Sequence, residues 1–390
     1  MRPLVSLVMM VKDEAASIRR TLESVRHIID GWTILDTGST DGTQEVVREV
    51  LQGIPGRLYE EPFVDYAASR NRALELSASS DGPLFTLMLS ADETVENPKA
   101  LAQFLEEMKD APEGAYAIAM VNGSQQWPYT RVLRVDAGWR YEGVIHERPV
   151  APDGVTVDAT LIPGVRIVFS ESNLERKRKR LREHDLPLLT KIVEDESRPK
   201  HDRVRAMYYL ADTHAMIAGD YPKTGGEYDQ RSGWLTHNMI AMSLYWRYAL
   251  IAEDERNTAA DRELAMRGYF LYYHIADKIG FYAPQELFGR LKVLCEAAPR
   301  LAEAHFMLAD VASRIDVRQG LLHAIEAAKV AREVRMNPPP RAIVDTRTEW
   351  LCYVVAAQCA KMTKSDAQAR DLARKGVEAG GPKEAFAGLL

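Results

Sequence analysis

The chain has 390 residues, 46% of them hydrophobic and 27% charged, with a formal net charge of −6. This is ordinary globular composition at about twice the usual domain length, so two domains are expected. The acidic balance excludes a global attraction for nucleic acid, and no apolar run reaches the roughly 18 residues of a membrane span.

In chain order, Leu4–Val11 is a continuous apolar run, as expected of a strand buried on both faces. Lys12, Asp13 and Glu14 follow at once, so the apolar start is too short for a signal peptide, and a soluble, cytoplasmic protein is expected. Ser17–Ile29 carries Ile18, Leu22, Val25 and Ile29 at helical spacing. Trp32–Leu35 reads as a second strand, ending in the turn Asp36-Thr37-Gly38-Ser39-Thr40-Asp41-Gly42, and Thr43–Leu51 as a second helix. Arg57–Glu60 gives a third strand, Tyr66–Ser77 a third helix and Leu84–Leu89 the most apolar strand of this half. Asn97–Met108 is a further helix, with Pro98 in its first turn, where a missing N–H costs little. This alternation predicts an α/β domain built on a mainly parallel sheet. Ligands on such sheets sit at the carboxyl ends of the strands, where the polar clusters after Val11, Leu35 and Leu89 fall.

After Ala115 the pattern changes to strands at Ala115–Val121, Thr130–Val135 and Val165–Phe169. From Asn173 onward it is helical, in segments such as Val204–Ala218, Met239–Ala252, Arg262–Ile279, Ala302–Ile315, Leu321–Val334 and Arg347–Lys361. AMYYLADTHAMIAGDY and AHFMLADVASRIDV share an Ala-x-x-x-Leu-Ala-Asp core, a weak repeat of the helical-hairpin type. The boundary falls between 172 and 185, giving domains 1–175 and 176–390. Cys295, Cys352 and Cys359 lie in apolar helical contexts and read as buried reduced thiols rather than zinc ligands.

Three strand ends carry candidate chemistry. Asp36 is placed to accept a hydrogen bond from a uracil ring N–H, or else to cap the following helix. Asp41 suits the capping role, since Asp-Gly is a turn signal. Asp92 and Glu93 follow a buried strand, where an acid can hold a hard divalent cation bridging two phosphates, or can simply open a loop.

The segments VSLVMMVKDEAASIRRTLESV, ILDTGSTDGTQEVV, DYAASRNRALELS and LFTLMLSADETV resemble, in order and spacing, the inverting family-two glycosyltransferases. The resemblance covers about residues 4–150 and implies a GT-A fold, UDP-sugar as donor, and Mn²⁺ or Mg²⁺ as cofactor. It implies that Met10, Val11, Lys12 and Asp36 hold the uridine, that Arg70 of Ser69-Arg70-Asn71 lies near the donor, and that Ala91 and Asp92 meet the diphosphate, with Asp92 on the metal. The family's Asp-x-Asp is here Ser90-Ala91-Asp92, so only the second acid remains. No His stands at Val168-Phe169-Ser170-Glu171, where many relatives carry a further metal contact. If metal binds weakly, arginines such as Arg70, or those near Arg178, must neutralise the leaving diphosphate.

TRVLRVDAGWRYEGVIHERPV resembles the acceptor side of a subgroup with helical repeats after the catalytic domain, including sublancin-type S-glycosyltransferases and phage-borne transferases. In that subgroup Gly143-Val144-Ile145-His146-Glu147 lies over the reacting centre, making Glu147, or else His146, the general base. The alternative is that either residue orders the loop by pairing with Arg148. Trp127 and Trp139 are candidates for stacking on sugar or acceptor, though core packing is the commoner fate of a Trp. The basic run Glu175–Arg180 reads as a solvated face or as a phosphate contact. Tyr228, Arg231, Gly233, Trp234 and Pro338-Pro339-Pro340 match the subgroup's repeats, so the second half is expected to be an all-α, tetratricopeptide-like (TPR-like) array.

The function implied is hexosyl or pentosyl transfer from a UDP-sugar to a macromolecule. The acceptor is a peptide or protein side chain, or a hydroxymethylated base in DNA modification of phage type. A homo-oligomer is compatible with this reading. The competing class is a non-catalytic nucleotide-sugar-binding or protein-interaction scaffold with a degenerate metal site.

Overall fold

The computed structural model describes residues 3–78, 82–111, 114–152, 159–169, 174–221, 228–254, 259–339 and 342–390. Two compact units emerge, one of residues 1–174 with 341–343 and one of 175–340 with 344–390. The first is a GT-A-like mixed sheet with helices; the second is helical.

The first unit runs β1 (Val5–Val11), α1 (Ile18–Val25), β2 (Gly31–Asp36), α2 (Thr43–Val50), β3 (Gly56–Glu60), α3 (Tyr66–Ser77), β4 (Phe85–Leu89), β5 (Glu93–Glu96) and α4 (Pro98–Glu107). β6 (Ala115–Asn122), β7 (Gln125–Arg134), β8 (Arg140–Glu142), β9 (Arg148–Val150) and β10 (Thr160–Phe169) follow. The large sheet has the order β3-β2-β1-β4-β7-β6-β10-β5. β3, β2, β1 and β4 are parallel, with Met10 beside Leu35, Val11 beside Asp36 and Met9 beside Leu89. The sheet turns mixed at β7, which is antiparallel to both β4 and β6. The cause is the tight Gly123-Ser124 connection, with Asn122 paired to Gln125 and Gly123 at φ 57°, a conformation glycine takes without strain. The chain leaves β1 toward β2 on one side and reaches β4 on the other, so a crevice opens at the carboxyl ends beside β1.

Period-two alternation along β1 builds two cores. Val5, Leu7, Met9 and Val11 pack with Ile18, Leu22 and Val25 of α1, Val47 and Val50 of α2, and Leu101 and Leu105 of α4. Val8 faces the other way, with Leu35, Met88, Leu133 and Tyr141, against Ala67 and Ala73 of α3. The buried face of α3 is short side chains plus Arg70, namely Ala67, Ser69, Arg70, Ala73 and Ser77. Small residues let this helix lie close on the strands, and an arginine at that face is buried with it. The reading of Ala91-Asp92-Glu93-Thr94 as a loop start gives way at Glu93, which opens β5 and pairs with Phe169 of β10.

In the second unit α5 (Leu174–Arg180), whose first residue closes unit one, passes through a π-helical turn at Leu181–Asp185 into α6 (Leu186–Glu194). α7 (Lys200–Ala218), α8 (Tyr228–Asp254), α9 (Ala259–Lys278), α10 (Pro284–Ala297), α11 (Ala302–Ile315), α12 (Val317–Met336), α13 (Thr348–Met362) and α14 (Asp366–Glu378) follow. Successive helices from α6 to α14 pack on one another, the stacking of a helical-hairpin array. The internal repeat falls on equivalent faces of α7 and α11, where Ala206, Leu210 and Ala211 are buried like Ala304, Leu308 and Ala309. All three cysteines are buried and free. Burial pushes the Cys295 and Cys352 thiols up to about 12, which leaves them inert. Pro340 and residues 170–173 lie outside the described residues, as do the side chains of Tyr228 and Arg231.

Candidate functional site

The carboxyl edge of the parallel strands is ordered by its own polar groups. Asp36 ends β2, fully buried, and its Oδ1 accepts the backbone N–H groups of Gly38 (2.8 Å) and Ser39 (2.7 Å). Its Oδ2 is also buried and has no hydrogen-bond partner among the described residues. Thr37 donates its N–H and its hydroxyl to the carbonyl of Val11, locking the ends of β1 and β2 together. Asp41 braces the turn, taking the Thr43 N–H and hydroxyl on Oδ1 and the Ala15 N–H on Oδ2. Asp13, at φ 52°, accepts the Thr40 N–H, while Lys12 is exposed and Met10 half-buried.

Arg70 projects from α3 into a buried cluster of charges. Its Nε donates to Glu147 Oε1 at 2.5 Å and its Nη2 to Ser90 Oγ at 3.3 Å, while Nη1 is buried without a partner among the described residues. The Glu147 side chain is 12% exposed. Burial pulls the Arg70 pKa down, but Glu147, Tyr141 and Tyr129 outweigh it and hold Arg70 above its ordinary value, a permanent cation. Asn71 brackets Tyr141, donating to its carbonyl (2.9 Å) and accepting its N–H (2.6 Å), which sets that ring under the Arg70 guanidinium at 5.6 Å. This explains why Arg and Asn stand side by side: one enters the cluster and the other ties α3 to β8.

Glu147 sits on the loop Gly143–Glu147 that joins β8 to β9, where Glu142 pairs with Arg148. The loop turns with Gly143 at φ 104° and His146 at φ 52°. Tyr129 of β7 donates its hydroxyl to the Glu147 carbonyl at 2.6 Å, and Tyr66 donates its N–H to the Val144 carbonyl. Glu147 therefore pairs with Arg70, from 77 residues away, rather than with Arg148.

At the end of β4, Glu93 is buried and accepts the Ser90 N–H on Oε2 (2.8 Å), while Oε1 takes a hydrogen bond from Arg131 Nη2. Burial pushes the Glu93 carboxyl up against the pull of Arg131. Arg131 lies over the Tyr129 ring at 4.7 Å, and its Nε is buried without a partner among the described residues. Ala91 is buried, and its carbonyl accepts the Thr21 hydroxyl. Asp92 is half-buried, and its carboxylate takes no hydrogen bond or salt bridge from the described residues.

The candidate residues thus gather at one edge of the sheet: Val11 and Asp36 through strand register, Arg70 and Glu147 by direct contact, Ala91 and Asp92 at the end of β4. Arg131, Tyr129 and Tyr141 were not singled out by sequence reasoning; the available signal was an arginine inside an alternating strand. Trp127 stacks on Phe169 (5.9 Å, 23°), and an added Cβ at Gly114 would meet Trp139 Nε1 at 2.6 Å. Both tryptophans are packing groups here. Among the described residues no three His, Cys, Asp or Glu side chains gather as a metal-binding group, and no helix is long and apolar enough to cross a membrane. Two arginines of the basic run, and Arg182 beyond it, are engaged locally: Arg178 and Arg182 both bond Asp220 (2.6 and 2.7 Å), and Arg180 bonds Asp185 (3.2 Å).

Residues 6–173 match the family model described as Glycosyl transferase family 2. A TPR repeat-containing protein of Synechococcus elongatus is 33% identical over 133 residues, 34% of this chain, and the match spans 31% of that relative's length. Among solved structures, TarS of S. aureus aligns over 70% of this chain and 55% of its own, at 11% identity and a TM-score of 0.31. TarS 1-349 in complex with UDP aligns over 70% and 88%, at 11% identity and 0.32. Glucosyl-3-phosphoglycerate synthase from Mycobacterium tuberculosis in complex with Mg²⁺ and UDP aligns over 31% and 44%, at 17% identity and 0.25.

Proposed function

We propose that this chain, with its family-two glycosyl transferase domain at residues 6–173, transfers a hexose or pentose from a UDP-sugar to a macromolecular acceptor with inversion. The observation that carries the reading is Asp36: one carboxylate oxygen is satisfied by the turn, and the other is buried and unpartnered. A buried carboxylate oxygen without a donor is costly, and the ring N–H of uracil is a donor of the right kind. The backbone of Met10–Lys12 and Ala91 lies at the same edge of the sheet to flank the nucleotide.

In this reading Glu147 is the general base. Arg70 holds Oε1, and Oε2 accepts no hydrogen bond from the described residues, which leaves it to take the acceptor's proton. The acceptor oxygen or sulfur then bonds to the anomeric carbon as the bond to the diphosphate breaks. His146, in a left-handed conformation on the same loop, shapes the acceptor side. Arg70, whose buried Nη1 has no partner among the described residues, faces the negative charge that develops on the leaving group.

Asp92 fits a hard cation: it is an oxygen donor whose carboxylate takes no hydrogen bond or salt bridge from the described residues, and Mg²⁺ or Mn²⁺ needs few protein ligands. Asp92 would hold the ion, which would neutralise the diphosphate. The formal net charge of −6 favours a peptide or protein acceptor over DNA. The helical array offers the kind of surface on which a peptide docks. A cytoplasmic site of action and a homo-oligomer are compatible with this proposal.

The test is calorimetry of UDP binding together with UDP-sugar hydrolysis, each with and without Mn²⁺. Saturable UDP binding and slow hydrolysis are expected. Neither heat of binding nor hydrolysis would leave the scaffold reading in place.

A further inference from the structure

Around Asp92 the structure ties down the Ser90–Glu93 turn. The Ser90 N–H donates to Glu93 Oε2 (2.8 Å), and the Glu93 N–H donates to the Ser90 carbonyl (3.2 Å), so residues 90 and 93 close a reciprocal ring. The Ala91 carbonyl is fixed by Thr21 and the Ser90 hydroxyl by Arg70. Glu93 is itself anchored twice, by strand pairing to Phe169 and by Arg131, whose side chain is 8% exposed. A glutamate at a 1% exposed position carries a large desolvation cost, which a simple turn does not require.

We propose that Glu93, held by Arg131, is a positioning residue that fixes the Ser90–Glu93 turn so that the Asp92 carboxylate faces the donor diphosphate and its cation. The proposal rests on the donor reading of this site. Neither Glu93 nor Arg131 touches donor or cation; Glu93 acts through the backbone of Ser90. With Ser90 in place of a first acid, one carboxylate carries the cation, so its orientation matters more than in a site that shares the load between two.

The experiment compares UDP affinity by calorimetry in EDTA and in Mn²⁺, for wild type and two double variants. Glu93→Met with Arg131→Met removes both charges at similar volume, so no buried charge is left unpaired and the fold is retained, which a thermal melt checks. Glu93→Gln with Arg131→Gln also removes both charges but keeps an acceptor for the Ser90 N–H. The Met pair is expected to bind UDP in EDTA like wild type, yet to lose about tenfold in the gain that Mn²⁺ brings, the usual scale for groups that orient a metal ligand. The Gln pair is expected to recover most of that gain. A Met pair that keeps the full Mn²⁺ gain overturns the positioning role, as does a wild type whose UDP binding Mn²⁺ does not strengthen. Absence of UDP binding by wild type in either condition overturns the donor reading instead.

Discussion

The Arg70 guanidinium meets the Glu147 carboxylate at 2.5 Å, with the two side chains 10% and 12% exposed. The pair joins α3 to the β8–β9 loop, so the residue proposed to face the leaving group and the residue proposed as base share one hydrogen bond. Removing one partner of such a pair leaves an uncompensated buried charge. Arg70→Met is therefore expected to lower unfolding free energy by about 3–5 kcal/mol. Arg70→Lys should recover little of it, because one ammonium cannot serve Glu147 and Ser90 in a fixed fork. Adding Glu147→Met to Arg70→Met should restore much of the stability while leaving transfer abolished. Urea unfolding decides this, and an Arg70→Met loss well under about 1 kcal/mol would mean the pair is solvated.

Asp36→Asn gives a sharper probe of the nucleotide than truncation does. The amide oxygen is expected to stay with the Gly38 and Ser39 N–H groups, which places the NH₂ where Oδ2 now lies. An N–H donor then faces the uracil N–H. UDP affinity should fall about tenfold to a hundredfold, the range of 1.5–3 kcal/mol for hydrogen bonds to charged groups, with the melt little changed. CDP, whose ring nitrogen accepts, should lose far less or gain. Equal losses for UDP and CDP would remove Asp36 from base recognition.

How much of this was legible in the sequence follows from the range of the interactions. Val5–Val11, the Asp36 turn and α3 are local patterns of period and turn chemistry, and they read directly from residues. The carboxyl-edge location of Asp36 and Asp92 followed from strand order alone. What did not read through was the partner of each charge. Glu147 stands beside Arg148 in sequence, but its carboxylate meets Arg70, which α3 brings in from 77 residues away, while Glu142, opposite Arg148 in the hairpin register, bonds Arg140. Glu93 looked like Asp92's twin because the two are adjacent; the start of β5 turns one inward to Arg131 and leaves the other half-buried. The direction of β7 is likewise set locally, by the glycine turn that joins it to β6.

Asp92 and Glu147 should separate along the reaction. Asp92→Ala removes a carboxylate that makes no hydrogen bond to the described residues, so the melt should be nearly unchanged. Transfer should be abolished, and the Mn²⁺ gain in UDP affinity lost. Glu147→Gln should keep UDP affinity and lose transfer, with some loss of stability because Arg70 keeps its charge without a countercharge. Unchanged turnover in Asp92→Ala would remove Asp92 from the site. If UDP affinity fell as far as rate in Glu147→Gln, Glu147 would be a donor ligand or a brace, not a base.

The helical unit carries a pH dependence of its own. His214 of α7 and His237 of α8 face each other through their Nδ1 atoms at 2.8 Å, so one must donate and the other accept, and the pair cannot be doubly protonated without breaking. The Tyr221 ring stacks on His237 at 5.8 Å, with Arg182 over that tyrosine, which adds positive charge nearby. Burial, then His237, lowers His214 from 6.5 to about 4; burial, then Arg182, lowers His237 as well. Between those values the unfolded chain binds protons that the folded chain refuses. The contribution is therefore fully present above about 6.5 and drains as pH falls toward about 4. Thermal melts from about pH 7 down to about pH 5 should show wild type losing stability faster than His214→Gln with His237→Gln, which keeps a hydrogen-bonding pair without titrating. Parallel curves for the two proteins would show that this pair is not the source of the acid sensitivity.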